Sequence, residues 1–369
     1  MMNHQEEEIL YAIALTKAKN IGDISARKLV SKLGSAKAVF KEKSKNLELI
    51  DGIGKRHIDE ISKANLLVEA ETEMRFIEKE NINTWYFKEN DYPKRLNQCQ
   101  DAPILLFHKG NFDFHNKPII SIVGTRKITA HGIDVCHKLV EDLSPLNPVI
   151  VSGFAFGTDI TAHKAAIDHN LQNIAILGHG LDKMYPEIHS RYISRVEKNG
   201  GFITDFTSDD KFDRKNFVKR NRIIAGMTEA TVVIESAEKG GSLITADFAN
   251  QYNREVFAIP GRPQDRYSIG CNDLIKKNQA HLITSAADIV YLLNWDIEKE
   301  KAGKQQSLFV DLNDNEKKVI EVLAKEGKKE LDDLVIKTDI PGHQLASILL
   351  NLELKGKIRP LPGKQYETI

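Results

Sequence analysis

Residues 119 to 126 read Ile-Ile-Ser-Ile-Val-Gly-Thr-Arg, an apolar run of strand type that passes directly into a glycine turn. The run does not alternate between apolar and polar residues, which indicates a strand buried on both faces, as in a parallel sheet between two layers of helices. Runs of the same kind, most of them separated by amphipathic helical stretches, recur at residues 149–152, 174–177, 202–206, 231–234, 256–259 and 282–284. This repetition predicts an α/β domain with a parallel sheet over residues 118 to 293.

The segment before the sheet, residues 1–65, is predicted to be a helical module with two glycine turns, at residues 20–25 and 50–55. Both turns resemble helix-hairpin-helix units, whose backbone N–H groups approach a DNA phosphate, although an ordinary turn between helices explains either one equally well. Residues 17–45 carry nine Lys or Arg against two acidic residues, a local net charge of +7, which favours contact with duplex DNA. Residues 66–117, with a short strand at 103–107, are predicted to lead into the α/β domain, which we take as 66–295.

The C-terminal part is predicted to be a linker at residues 296–310, which is charged and rich in Gln, followed by a winged helix at residues 311–369. Residues 313–369 hold ten basic and ten acidic residues, and the candidate recognition helix at 344–354 has no Lys or Arg. A helix without cationic donors grips DNA poorly, so we expect this module to dock a protein or to self-associate.

The whole chain has 369 residues and a formal net charge of zero, with 52 Lys and Arg against 52 Asp and Glu. Its three cysteines have no CxxC spacing. We therefore expect a protein of the reducing cytoplasm that has neither disulfides nor a zinc knuckle. The polar, acidic N-terminus does not read as a signal peptide, and no apolar run approaches the length that a bilayer requires, so we expect no membrane partner.

Three glycine-bearing loops follow strands of the predicted sheet and precede helices. A single loop of this kind would be explained by the need to turn the chain. Three of them, with an arginine in the first, instead predict a phosphate-binding rim. The residues expected there are Gly124, Thr125 and Arg126 in the first loop, Gly153 and Gly157 in the second, and Gly240, Gly241, Ser242 and Thr245 in the third. Neither GxGxxG nor GxxxxGK[ST] is present, so we expect no cofactor.

Residues 211–222 combine six basic residues with one acidic residue and two phenylalanines. Basic residues that follow phosphates, beside an aromatic ring that stacks on an unpaired base, are typical of single-strand binding. We therefore predict contacts to single-stranded DNA from Lys211, Arg214, Lys215, Phe217, Arg220, Asn221 and Arg222, whereas Phe212 could instead be a core residue. We expect neither a metal site nor a catalytic site, and we expect structural or DNA-contacting roles for His163, His179 and His189.

The central motifs, taken in order, closely resemble those of the DNA-processing protein A (DprA, also called Smf) family. They are Gly-Thr-Arg at 124–126, Ser-Gly-x-Ala-x-Gly-x-Asp at 152–159, Tyr-Pro at 185–186, Arg-Asn-Arg-Ile-Ile-Ala-Gly at 220–226, Gly-Ser-Leu-Ile-Thr-Ala at 241–246 and Ala-Ile-Pro-Gly at 258–261. The resemblance covers the whole central domain and implies an extended Rossmann-like sheet flanked by the helical module and the winged helix.

The same resemblance implies that the protein is not an enzyme but a recombination mediator. It would bind single-stranded DNA, protect incoming DNA during natural transformation and load the RecA recombinase onto it. It also implies a homodimer, formed through apolar residues near the end of the central domain, for which we expect Leu274, Ile275, Ile289, Leu292 and Leu293. The family has a basic residue three positions before a phenylalanine, which Arg214 matches before Phe217; Lys211 and Lys215 remain alternatives.

Two other functions are weaker alternatives. A related nucleotide phosphoribohydrolase would carry a Pro-Gly-Gly-x-Gly-Thr loop followed by Glu, but Thr245 is followed here by Ala and Asp and the loop proline is absent. A duplex-binding scaffold would act through the N-terminal glycine turns alone.

Overall fold

A computed structural model describes residues 3–113, 117–295, 313–354, 357–361 and 365–368. The chain divides into two compact units, residues 1–297 and 298–369, which we describe separately. The predicted linker at 296–310 lies outside the described residues.

The first unit contains helices α1 to α14 and strands β1 to β9. Its helices are α1 His4–Lys17, α2 Asp23–Leu33, α3 Ala36–Lys41, α4 Ser44–Leu47, α5 Lys55–Ile61, α6 Asn65–Lys79, α7 Lys94–Asn97, α8 Ala130–Leu143, α9 Thr158–Asp168, α10 Ile193–Lys198, α11 Arg214–Met227, α12 Gly241–Gln251, α13 Ile269–Lys276 and α14 Ala286–Leu292. Its strands are β1 Asn83–Tyr86, β2 Leu105–Asn111, β3 Ile119–Val123, β4 Val149–Ser152, β5 Asn173–Ile176, β6 Gly200–Thr204, β7 Ala230–Val233, β8 Glu255–Ala258 and β9 His281–Leu282.

The nine strands form one sheet in the order β1-β2-β6-β5-β4-β3-β7-β8-β9. Strands β3 to β9 are parallel, and β1 and β2 add an antiparallel edge. The predicted α/β class is therefore confirmed. The chain runs outward from β3 to β6 and then returns to β7 on the other side of β3, so the strand order reverses between β3 and β7. At such a reversal, the loops after the two strands leave a crevice at the carboxyl ends of the sheet.

The centre of the sheet is buried on both faces, as the uninterrupted apolar runs predicted. The polar residue in β3, Ser121, is fully buried, and its hydroxyl donates to Thr231 Oγ1 on β7 at 2.8 Å. This bond satisfies the hydroxyl without breaking the apolar layer.

Two elements between residues 65 and 117 were not predicted. Helix α6 has 15 residues, and its buried positions include Leu66, Ala70 and Ile77, but the charged residues between them weaken the helical pattern. Strand β1 is short and only half buried, since it lies at the edge of the sheet. It pairs with β2, which extends beyond the predicted strand at 103–107.

The N-terminal helices share their apolar core with the sheet. Leu15, Leu29 and Val39 are fully buried in the same cluster as Ile104 and Val149. Helix α1 packs against α6 and β2, so residues 4–61 are packed onto the α/β domain over a continuous hydrophobic surface.

The second unit has helices α15 Asp314–Glu326, α16 Leu331–Thr338 and α17 Gly342–Leu354, and strands β10 Lys329–Glu330, β11 Ile358–Leu361 and β12 Gln365–Thr368. The strands form a sheet in the order β10-β12-β11. Val319, Leu334 and Leu345 meet in its core. This is the predicted winged helix, and α17 is the helix without Lys or Arg. No helix among the described residues is long and apolar enough to span a membrane.

Candidate nucleic-acid interface

The loops after β3, β4 and β7 are joined by hydrogen bonds at the carboxyl edge of the sheet. The Thr125 N–H donates to Glu235 O at 2.7 Å, which connects the first loop to the third. Thr125 O accepts from both the N–H and the hydroxyl of Thr158, at 3.1 and 3.2 Å. The three predicted loops therefore form one continuous rim.

Two glycines permit this close packing of loops. A Cβ on Gly124 would lie 2.3 Å from Thr158 Oγ1, and one on Gly157, whose φ is +76°, would lie 2.3 Å from Thr125 O. Both glycines are thus required by contacts within the protein. The other predicted rim residues differ in exposure. Gly241 faces open space at the start of α12, whereas the side chains of Ser242 and Thr245 are buried.

Arg220 is a buried residue, contrary to its expected contact with DNA. It is 3% exposed, and its guanidinium donates to Gly153 O at 2.6 Å and to Ile176 O. A Cβ on Gly153 would occupy the space of this guanidinium. Burial lowers the pKa of Arg220 to about 10, so the side chain stays charged at neutral pH. Burial raises the pKa of Asp159, and the neighbouring Arg220 opposes that shift.

Arg222, which was also expected to contact DNA, is likewise buried. It is 4% exposed and pairs with Asp205 at 2.5 Å and Asp23 at 3.0 Å. Asp205 is buried, but Lys219 and Arg222 hold its pKa below the usual range. Asn221 is half buried, and its amide donates to Gly241 O at 3.4 Å. Arg220 and Arg222 therefore bond to other parts of the same chain. Arg220 does so because α11 lies over the carboxyl ends of β4 and β5.

The first half of the stretch faces solvent. Lys211, Arg214 and Lys215 are exposed, as is Arg126 on the rim. Within the described ranges, these four side chains form no ion pair. Asp213, which lies between them, accepts from the Lys215 N–H at 2.8 Å as the N-cap of α11. Four cations are thus left free for an external anion.

An aromatic cluster of His179, Tyr185, Phe212 and Phe217 lies beside these cations. The ring centroids of Phe212 and Phe217 are 5.4 Å apart, and those of Tyr185 and Phe212 are 4.9 Å apart. Arg126 is placed 5.9 Å over the Phe217 ring, which connects the cluster to the rim. Phe212 is 47% exposed and Tyr185 43%, so Phe212 is not a core residue. Tyr185 was not predicted as a site residue, since nothing in its own sequence places it against α11.

The three histidines near the rim are held in the neutral form. Burial lowers the pKa of His179 and His189, and it lowers that of His163 to about 4. His179 and His189 bond the backbone carbonyls of Gly180 and Phe154 through Nδ1, both at 2.8 Å. His163 Nδ1 bonds Asn173 Oδ1 at 3.2 Å. These contacts give each ring a structural role. The described residues hold no group of three or more side chains arranged to bind a metal ion.

The residues expected at a dimer interface are only partly at the surface. Leu274 and Ile289 are buried in the chain's own core, whereas Ile275 and Leu293 are half buried, and the interface itself stays a prediction. Leu292 is 37% exposed and follows Tyr291, which is 80% exposed.

Two protein-family models and several known proteins match this chain. A model of the DNA recombination-mediator protein A family matches residues 83–294, and a model of the DprA winged helix domain matches residues 307–364. Protein Smf of Escherichia coli is 33% identical over 74% of this chain and 74% of its own. The DNA processing protein DprA of Streptococcus pneumoniae is 38% identical over 54% of this chain and 70% of its own.

Two solved structures are also similar. The X-ray structure of DNA processing protein A from Streptococcus pneumoniae has a TM-score of 0.63 at 29% identity and covers 79% of this chain and 98% of its own. A structure of DNA processing protein A from Helicobacter pylori, described for its single-stranded DNA binding mode, has a TM-score of 0.52 at 27% identity and covers 58% of this chain and 95% of its own.

The fold thus defines an α/β protein with a doubly wound sheet and a C-terminal winged helix. Because the first family model spans more than half of the residues, the chain belongs to the DNA recombination-mediator protein A (DprA/Smf) family. The resemblance inferred from the motifs is confirmed.

Proposed function

We propose that this protein binds single-stranded DNA at the aromatic cluster and at the four free cations beside it. The observation that carries the proposal is the position of Arg126, which joins the glycine rim to Phe217. A strand laid across this surface has phosphate partners in Lys211, Arg214 and Lys215 and exposed rings in Phe212 and Tyr185. Such stacking contributes about 1 to 3 kcal/mol per base and tolerates any sequence.

The preference for single strands follows from the rings. Bases in a duplex are stacked on each other, so Phe212 and Tyr185 can reach only unpaired bases. In a competition assay, unlabelled single-stranded oligonucleotide should displace a labelled single strand far more effectively than duplex of the same length. Equal displacement by duplex would instead favour a scaffold that acts through the N-terminal glycine turns.

We further propose that the bound strand is delivered to the RecA recombinase, in the cytoplasm and during natural transformation, and that no bond is made or broken in the process. Membership of a recombination-mediator family supports this role. RecA filament formation on DNA coated with single-strand-binding protein should be faster when this protein is added. The Arg126→Ala variant should lose that stimulation in proportion to its lost affinity for DNA.

A homodimer is the proposed active form. Strand β9 is the last strand of the sheet, and three large apolar residues on β9 and the following helix α14 are exposed: Leu282 at 51%, Tyr291 at 80% and Leu292 at 37%. Light scattering should give twice the 41.6 kDa chain mass, and Tyr291→Asp should shift the protein toward monomer. A monomer mass for the unaltered protein at micromolar concentration would contradict this.

A further inference from the structure

A cavity opens near the start of α8. It has a volume of about 890 Å³ and lies at the carboxyl ends of β7 and β8. Its wall runs from Thr129 and His131, at the start of α8, to the loop at 260–268. Thr129 is three residues from Arg126, so their Cα atoms are at most about 11 Å apart. The cavity is therefore next to the proposed DNA-binding surface but includes none of its residues.

Hydrogen bonds to neighbouring elements hold the loop at 260–268 open. Asn272 on α13 bonds both the N–H and the carbonyl of Gly261, at 3.1 and 2.9 Å. At the other end, the Ser236 N–H donates to Tyr267 O at 2.7 Å. The cavity is thus formed before any ligand arrives, which limits the entropy lost on binding.

The lining of the cavity suits a nucleotide. Arg262 and Arg266 are exposed, lie four residues apart in the loop, and form no ion pair within the described parts of the chain. Arg266 lies 5.8 Å over the Tyr267 ring. Guanidinium groups bind phosphates through paired N–H donors, and the half-buried Tyr267 ring, over which Arg266 lies, adds an aromatic surface to the lining.

Two carboxylates in the cavity disfavour a bare phosphate ion. Glu235 is buried and already accepts from the N–H and the hydroxyl of Thr129, at 2.9 and 2.5 Å. Asp265 is exposed and lies between the two arginines in sequence. A carboxylate accepts from an amino group on a base, such as that of cytosine, but it repels a lone anion.

We propose that this cavity binds one nucleoside phosphate, with its phosphate on Arg262 and Arg266 and an amino-bearing base toward Asp265. The ligand is either a free nucleotide or one nucleotide of the bound strand. The second case rests on the proposed function, because a strand that leaves Phe217 past Arg126 reaches Thr129 next.

The test compares the full-length protein with an Arg262→Ala/Arg266→Ala variant. A matched control, Arg75→Ala/Arg195→Ala, removes two exposed arginines far along the chain from both surfaces. The probes are dCMP, followed by calorimetry, and labelled dC and dT oligomers of about 20 nucleotides, long enough to cover both surfaces.

Two results support the proposal and identify the source of the nucleotide. Saturable binding of dCMP that the cavity variant loses indicates a site for free nucleotides. No binding of dCMP, with an about tenfold loss of affinity for the dC oligomer and an equal or smaller loss for dT, indicates a site for one nucleotide of the strand. The control variant should match the unaltered protein in both assays.

The proposal is overturned if dCMP does not bind and the cavity variant either keeps full affinity for dC or loses more affinity for dT than for dC. That result would leave single-strand binding intact. Failure of the unaltered protein to bind either oligomer would instead contradict the proposed function.

Discussion

At the scale of residues, two arginines at the same edge of the sheet have opposite roles. Arg220 is buried and holds the carbonyls of Gly153 and Ile176, whereas Arg126 is exposed and faces an aromatic ring. Both occur in motifs rich in glycine or charge, so composition does not distinguish them. Packing does, because Arg220 points under the rim and Arg126 points out of it.

Replacement of Arg126 by alanine should weaken binding of a dT oligomer by about 1 to 3 kcal/mol, since it removes one charge-assisted contact. The fold should survive, because the side chain is exposed. Fluorescence anisotropy measures the affinity, and Arg195→Ala, which removes an exposed arginine on α10, serves as the matched control. Unchanged affinity with a native melting curve would remove Arg126 from the site.

Phe212 tests the stacking contribution separately from charge. Phe212→Leu should lower affinity for single strands by about 1 to 3 kcal/mol, whereas Phe212→Tyr keeps the ring and should bind normally. Because the side chain is 47% exposed, neither change should shift the melting temperature much. Equal affinity of the two variants would show that the ring does not stack on a base.

At the scale of elements, helix α11 has a solvent-facing start and a buried end. Arg214 and Lys215 in its first turn are exposed, while Arg220 and the residues from Arg222 to Met227 are buried. The sequence presents six basic residues in one short stretch, and their density predicted DNA contacts for five of them, all except Lys219. Only the tertiary structure distinguishes the exposed residues from the buried ones, since the carboxylates that pair with Arg222 come from the loop after β6 and from α2.

Arg222→Met should destabilise the protein by about 3 kcal/mol, because it leaves Asp205 with one partner fewer in a buried site. Chemical denaturation measures the loss. Asp205→Asn combined with Arg222→Met should cost clearly less than the two single changes added together, since the charge left unpaired is then removed. Strict additivity would show that the pair does not interact.

The sheet was the most predictable element of the fold. Strands such as β3 and β4 are continuous apolar runs because both of their faces are covered, and that pattern is read directly from sequence. Strand β1 and helix α6 have weaker patterns because each keeps a solvent-facing side. Tyr185 joins Phe212 by tertiary contact alone, so its place in the site could not be predicted.

At the scale of the whole molecule, the N-terminal helices are part of the first unit's core. Of the nine basic residues in 17–45, Lys17, Lys28 and Lys37 pair with carboxylates and Arg27 bonds Asn97. This reduces the charge that the module can offer to duplex DNA. Deletion of residues 1–65 would remove part of the hydrophobic core that these helices share with the sheet, so a role in DNA binding is better tested by point changes at the exposed lysines.

Acid should destabilise the first unit through two buried histidines. Burial lowers the pKa of His108 and of His163 to about 4, below the value near 6.5 in the unfolded chain. Between these values the unfolded chain binds protons that the folded one does not, so the free energy of unfolding falls as pH drops from about 6.5 toward 4.

Urea denaturation should give a loss of about 2 to 4 kcal/mol between pH 7 and pH 5. His163→Gln removes one of the two groups and should make this pH dependence shallower. An identical pH dependence in both proteins would contradict the assignment of His163 as a neutral, buried group.

The salt dependence of single-strand binding tests the central claim most directly. Each phosphate contact on a single strand contributes about −0.7 to the slope of log affinity against log salt concentration. The variant with alanine at Arg126, Lys211, Arg214 and Lys215 should therefore bind a dT oligomer more weakly and with a slope flatter by roughly 3 than the unaltered protein. A variant with the same affinity and the same slope would show that the strand binds elsewhere.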